Sequence, residues 1–212
     1  MATPRDDEIT AAIAAAESRT AAEIVVAILS RADPYRLTAV LAAFAVAALA
    51  TVAVELLLLP ALSLRGVLPR EANIIGFAAV LLLGIAAYLF CERTSLGVRL
   101  TVSEARREAC ATRARLLFLQ HGIDATADRL GLLVFVSHAE HHIEILPDRG
   151  IAAIVPSDRW SVLIAGFTDR VGQGGLENSL TQLIAEIADE LAPAFPPRAD
   201  QANDLPDAPI RV

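Results

Sequence analysis

The chain contains no lysine; all 18 of its basic residues are arginine. With the abundant alanine, this reads as the composition of a GC-rich bacterial genome rather than as a functional signal. Cysteine is scarce too. The two present, Cys91 and Cys110, form neither a disulfide framework nor a paired metal spacing. One ends an apolar run and the other sits inside a predicted helix, so both read as small buried hydrophobes. A broad basic face is also lacking. Net charge is −7, with 5 arginines against 12 acids in residues 130–212 and 6 against 2 in residues 93–115. An acidic bulk of this kind argues against nucleic acid as a partner. Several motifs are missing as well: GxGxxG, the phosphate loop, EF-hand spacing and any internal repeat. The glycines of residues 172–175 lack the lysine and the preceding strand that a phosphate loop needs. The polar, acidic start is not a signal peptide, so membrane insertion is expected to rely on the first apolar run.

That run, LTAVLAAFAVAALATVAVELLLL, covers residues 37–59, and a second, IIGFAAVLLLGIAAYLFC, covers residues 74–91. Crossing a hydrocarbon core takes about 20 mostly apolar residues, so both are long enough. The link, residues 60–73, carries Pro60, Pro69, Arg65, Arg70 and Gly66. Together they read as a transmembrane helical hairpin in the inner membrane of a bacterial cell, with the lipid bilayer as first partner. Arg31, Arg36, Arg93, Arg99, Arg106 and Arg107 flank the runs on one side, against Arg65 and Arg70 in the link. Basic residues stay cytoplasmic, so both termini are expected there in a multi-pass protein.

The flanks carry the pattern of an α/β domain. Residues 4–18 read as a helix, with Thr3 as cap and Ile9, Ile13 and Ala16 on one face. Residues 23–29 are a β-branched run, apolar on both faces, as in a buried strand. Beyond the second run, Thr101 and Glu104 have capping-box spacing and open a helix to about His121, which Gly122 stops. Residues 131–137 form a second buried strand, and residues 142–146 alternate as a half-exposed one, the two joined as a hairpin. Ser157 is expected to cap a helix that residues 172–175 break, and residues 176–191 form another amphipathic helix. The tail from residue 193 reads as extended. One strand precedes the apolar hairpin and the others follow it. A single domain, residues 1–36 with 92–212, interrupted by the hairpin at residues 37–91, is the economical reading.

These residues resemble a known family. Residues 20–26 (TAAEIVV), 131–137 (GLLVFVS), Ile143-Glu144-Ile145 before Asp148-Arg149-Gly150-Ile151, and the tail from Phe195 to Pro206 are similar to the TPM-domain family. Within it, the chain resembles the bacterial branch whose domain is split by two spans. The resemblance implies a three-layer α/β/α sandwich with a small sheet, interrupted by the hairpin. It also implies roles such as the assembly or repair of membrane complexes in some relatives, and acid phosphatase activity or divalent-cation binding in others.

Candidate chemistry is sparse. His138, Glu140, His142 and Glu144 alternate and would share one face of an extended strand, a donor set zinc accepts. No zinc template fits the spacing, and a turn within the stretch would break the face. Asp148, Asp158, Asp200, Asp204 and Asp207 offer oxygens for a hard cation such as Ca²⁺ or Mg²⁺. Asp148 beside Gly150 at a strand end, Asp204 in the tail and Glu144 are the candidates retained, although aspartate favours turns and caps in any case. Glu55 lies inside the first apolar run, where a carboxylate is costly. Ser137 beside His138 is adjacency without a third member. The expectation is therefore a membrane-anchored binding or assembly module for membrane protein complexes. The alternative is a divalent-metal-dependent phosphatase-like hydrolase.

Overall fold

The computed structural model describes residues 4–66, 69–94, 96–126, 128–198 and 205–211. They form a mixed α/β protein that divides into two compact units, residues 1–32 with 107–212 and residues 33–106.

The first unit begins with helix α1 (Pro4–Glu17) and strand β1 (Glu23–Leu29). All seven residues of β1 are buried, and from Ile24 to Leu29 the strand is apolar on both faces, as a strand covered on both sides requires. The unit resumes within helix α6 (Ser103–Gln120) and continues through a 3₁₀ turn at Ile123–Ala125 to strands β2 (Gly131–Ser137) and β3 (His142–Pro147). A short helix α7 (Arg149–Ala152), helices α8 (Ser157–Gly174) and α9 (Leu176–Leu191), and a two-residue strand β4 (Ile210–Arg211) complete it. The sheet order is β3-β2-β1-β4. β1 runs parallel to β2, from Glu23 beside Gly131 to Leu29 beside Ser137, and parallel to β4 at Ala27 and Ile28. β3 is antiparallel to β2.

Alternation along the strands sends side chains to two cores. Ile24, Val26, Ile28, Leu132, Val134 and Val136 meet Ile9 and Ile13 of α1, Trp160 and Phe167 of α8, and the Leu180, Leu183, Ile184 and Ile187 stripe of α9. Val25, Ala27, Leu29, Leu133 and Phe135 face Cys110, Ala114, Leu117 and Phe118 of α6, with Ile123 beneath. Helices therefore cover both faces of a small mixed sheet. Each fully buried Leu or Ile is worth about 1.5–3 kcal/mol of apolar transfer, so the sheet is held by its two faces rather than by its few ladder bonds.

The second unit is built on a long helix followed by a return helix. The first comprises α2 (Arg36–Ala53), a π-helical turn (Val54–Leu58) and α3 (Leu59–Leu64). The second is α4 (Pro69–Arg93), followed by short α5 (Leu96–Leu100). Continuous stretches of 27 residues (Arg36–Leu62) and 25 residues (Pro69–Arg93) are long and apolar enough to cross a membrane, and little of either is buried. Phe44, Leu49, Leu57, Phe77 and Leu82 lie exposed along them. The helices approach closely where side chains are small. A Cβ on Gly76 would stand 2.7 Å from Val54 Cγ1, and one on Gly84 3.6 Å from Ala47 Cβ.

Several local expectations are corrected. Both apolar helices outrun their sequence bounds of 37–59 and 74–91, so the polar link shortens. Pro60 lies inside helix rather than opening the link, because the π-helical turn just before it already breaks the α-helical bond pattern and proline has no N–H to place. Pro69 stands at the first position of α4, where its missing N–H costs nothing. Thr101 does not cap α6, which starts at Ser103. Its hydroxyl instead donates back to the Gly97 carbonyl at 2.7 Å. Ser157 is the first residue of α8 rather than its cap; Pro156 occupies that position without a side-chain bond. The break between α8 and α9 falls at Gly175 alone, with φ +86°.

Candidate functional site

The β2–β3 hairpin gathers most of the chemistry-bearing residues. At its tip the ladder between β1 and β2 continues past the strands: His138 N–H donates to the Leu29 carbonyl at 3.0 Å and Ala139 N–H to that of Ser30 at 3.1 Å. Glu140 turns inward and is buried, 7% exposed. Its carboxylate accepts the Ala32 N–H at 3.1 and 3.2 Å and the Ser137 hydroxyl. A carboxylate with these donors is a structural clamp at the carboxyl ends of two parallel strands. His141 closes the turn with φ +49°, a left-handed conformation uncommon outside glycine. The turn therefore splits the His138–Glu144 series, and the common face expected of a continuous strand does not form.

What the turn produces instead is a cleft. His138, His141 and His142, three of the chain's four histidines, line about 410 Å³ together with Ile143, Phe167 and Val171. A second cleft of about 490 Å³ runs along β3, between Arg107 and Ala111 of α6 on one side and Trp160, Ser161 and Ile164 of α8 on the other. His142 and Glu144 enter this cleft from β3, with Nε2 and Oε2 3.6 Å apart. Glu144 Oε2 is buried and makes no hydrogen bond among the described residues.

Asp148 lies past the end of β3 and is 5% exposed. It caps α7, with Oδ1 accepting the Arg149 N–H at 2.7 Å. Oδ2 has no hydrogen-bond partner among the described residues; Arg129 Nη1 stands 4.0 Å away. Two glycines let the chain close here. A Cβ on Gly131 would lie 2.2 Å from the Ile123 carbonyl oxygen, and one on Gly150 2.7 Å from that of Arg129. Glu144 and Asp148 are four strand positions apart, about 13 Å at 3.3 Å per residue. Asp204 and Asp200 lie outside the described residues. Among the described residues, no three His, Cys, Asp or Glu side chains come together to hold a metal ion. Cys91 and Cys110 are buried free thiols. Glu55 lies exposed in the π-helical turn of the first apolar helix.

One carboxyl escaped the sequence reading. Glu17, at the end of α1, has its pKa pushed up to about 8. Burial is the main cause; the nearby charges of Glu23 and Asp207 add to it, and the bond from Ile24 N–H, at 2.8 Å, opposes it. Glu23 N–H bonds toward β2 through the Leu130 carbonyl, so the next N–H, that of Ile24, faces the opposite edge. There β4 is too short to reach, and Glu17 stands in for a strand. No local pattern marks such a role, because it exists only once the helix is packed on the sheet.

No protein-family model matches the chain, and no curated protein is similar to it at a significant level. Among solved structures it is similar to the NMR structure of the BA42 protein from the psychrophilic bacterium Bizionia argentinensis. The TM-score is 0.60 over 100% of this chain and 95% of that one, at 16% identity. Likeness at this identity speaks to the fold.

Proposed function

We propose that the chain is a TPM-like protein of the bacterial inner membrane, anchored by its apolar helical hairpin. Its α/β unit is a three-layer sandwich that binds a protein partner and serves in the assembly or turnover of membrane complexes. Both termini, and with them the α/β unit, lie in the cytoplasm. The observation that carries this reading is the pairing of two long, outward-facing apolar helices with an α/β unit whose own core is buried on both sheet faces. Exposed apolar surface on that scale marks a membrane or protein contact. The arginine balance across the hairpin supports the orientation.

The test is crosslinking in intact membranes, followed by mass spectrometry. One stoichiometric membrane-protein partner is the expected result. Full extraction of the chain by alkaline carbonate, or activity of an extracytoplasmic reporter fused at Val212, would sink the anchor or the orientation.

A second reading, a divalent-metal-dependent phosphatase, is favoured by one observation: Asp148 and Glu144 each hold a buried carboxylate oxygen without a hydrogen-bond partner among the described residues. Such oxygens are costly unless something binds them. Hydrolysis of a phosphomonoester that needs Mg²⁺ or Ca²⁺ and disappears in Asp148→Ala would establish it. Hydrolysis unchanged by chelation and by the substitution would dismiss it.

A further inference from the structure

Strand β3 is the open edge of the sheet, and its register says which backbone groups it leaves over. Asp148 N–H donates to the Gly131 carbonyl at 2.8 Å. From there the pairing continues with Leu146 beside Leu133, Glu144 beside Phe135 and His142 beside Ser137. Antiparallel neighbours alternate between bonded and non-bonded pairs, so these residues face β2. The N–H and C=O of Ile143 and Ile145, and the C=O of Pro147, therefore point away from the sheet. Among the described residues, Ile143 and Ile145 make no hydrogen bond on that side. The groups open into the 490 Å³ cleft between α6 and α8. Alternating donors and acceptors at strand spacing are matched by an extended main chain.

We propose that this cleft is a strand-addition site, which takes an extended segment of a partner protein as a fifth strand beside β3. The two walls set the pattern of that segment. Ile143 and Ile145 belong to the core face that also holds Trp160 and Ile164, so alternate side chains of the guest meet an apolar wall. The others lie beside Glu144, whose buried Oε2 has no hydrogen-bond partner among the described residues, and a basic side chain completes it. Residues of α6 and α8 line the cleft on its two sides. Pro147, which has no N–H, and the charged Glu144 limit indiscriminate pairing, as natural edges do. The proposal rests on the binding-module reading above and names the face that module uses.

Trp160, the only tryptophan, lines the cleft and reports occupancy. The full chain in detergent micelles is titrated with a blocked peptide alternating arginine and valine, and with the same peptide N-methylated on alternate residues. The expected result is a saturable change in Trp160 fluorescence and slowed amide exchange confined to the segment holding Ile143 and Ile145. Binding weakens about tenfold on N-methylation and about tenfold in Glu144→Gln, the effect of losing hydrogen bonds to main chain or charge. Equal binding of the two peptides, no slowing of those amides, or slowing that follows protein concentration without peptide (a second copy as the occupant) overturns the proposal. If crosslinking recovers a stoichiometric partner while the β3 amides exchange at the unbound rate, strand addition fails and the binding-module reading stands. If the peptide binds as described and no membrane partner is found, the site stands and that reading fails.

Discussion

Glu17 is a carboxyl held protonated in the folded chain at neutral pH, since burial outweighs the bond from Ile24. The unfolded chain ionises it near its ordinary value of 4.5, the folded chain only near 8. Between those values the folded state binds the extra proton, so stability falls as pH rises from about 4.5 to about 8 and is level above. Glu17→Gln keeps an acceptor for Ile24 N–H and removes the titration. At pH 8 it should stabilise the protein by roughly 1–2 kcal/mol, a figure discounted for the partial exposure of the site. At pH 4.5 it should be close to neutral, as read by denaturant midpoints followed through Trp160. A gain that is the same at both pH values would mean the carboxyl does not titrate as described. Asp148 gives a contrasting case. Its Oδ1 caps a four-residue helix, so Asp148→Ala should cost about 1 kcal/mol. Asp148→Asn, which retains the acceptor and carries no charge into the buried Oδ2 position, should cost less. Gly131→Ala places a Cβ 2.2 Å from a backbone carbonyl, and no flexible side chain can yield there. It should destabilise the fold by several kcal/mol, read as a lower denaturant midpoint, or prevent folding.

At the level of elements, legibility in the sequence followed locality. Strands β1 and β2 fall at residues 23–29 and 131–137, where short runs of apolar residues point to them. Such runs are apolar on both faces because helices cover both sides of the sheet. Helix ends were legible where a backbone requirement decides them, as at Gly122 with φ +66°, and illegible where a tertiary bond competes. Thr101 has a cap's spacing, yet its hydroxyl serves the preceding helix. The site behaves likewise. The histidine cluster and Asp148 were visible as residue types, whereas the Glu140 clamp joins residues 108 positions apart and the Glu17 role needs α1 on the sheet. The strand least visible was β4, two residues that shield only Ala27 and Ile28 of the β1 edge. It is held further by the ion pair of Arg211 with Asp6 and by Leu205 and Ile210 packed on the α6-side core. Truncation before residue 205 should therefore open β1 on that edge at a cost of about 2–4 kcal/mol, from two apolar side chains partly unburied. Faster amide exchange in residues 26–29 with unchanged exchange in β3 is the expected signature; equal loss across the whole sheet would show that β4 does not act locally.

For the whole molecule the question is how much of the chain one fold requires. Strand β1 lies between β2 and β4, and its Ile24, Val25, Val26, Ala27, Ile28 and Leu29 are each at most 3% exposed. Three of these side chains enter the core shared with α1, α8 and α9, and three the core shared with α6. Residues 92–212 alone therefore lack the central strand of the sheet and the helix that precedes it. They lose apolar partners on both faces at once, which a domain stable by about 5–15 kcal/mol cannot absorb. None of the described residues of the apolar hairpin belongs to either of those cores. Deleting residues 33–102 and joining Ala32 to Ser103 by a short flexible linker keeps α6 whole and keeps the Ala32 N–H that Glu140 accepts. The linker's closure entropy rises only slowly with its length. The shortened chain should be soluble without detergent, monomeric, and cooperative in thermal unfolding, with slow amide exchange in β1 and β2. The fragment 92–212 should show neither cooperative unfolding nor protected β2 amides, and adding α1–β1 as a separate peptide should restore part of that protection. If residues 92–212 fold as stably without residues 1–36, β1 is not integral to the domain, and the hairpin is an anchor between two regions rather than an insertion within one.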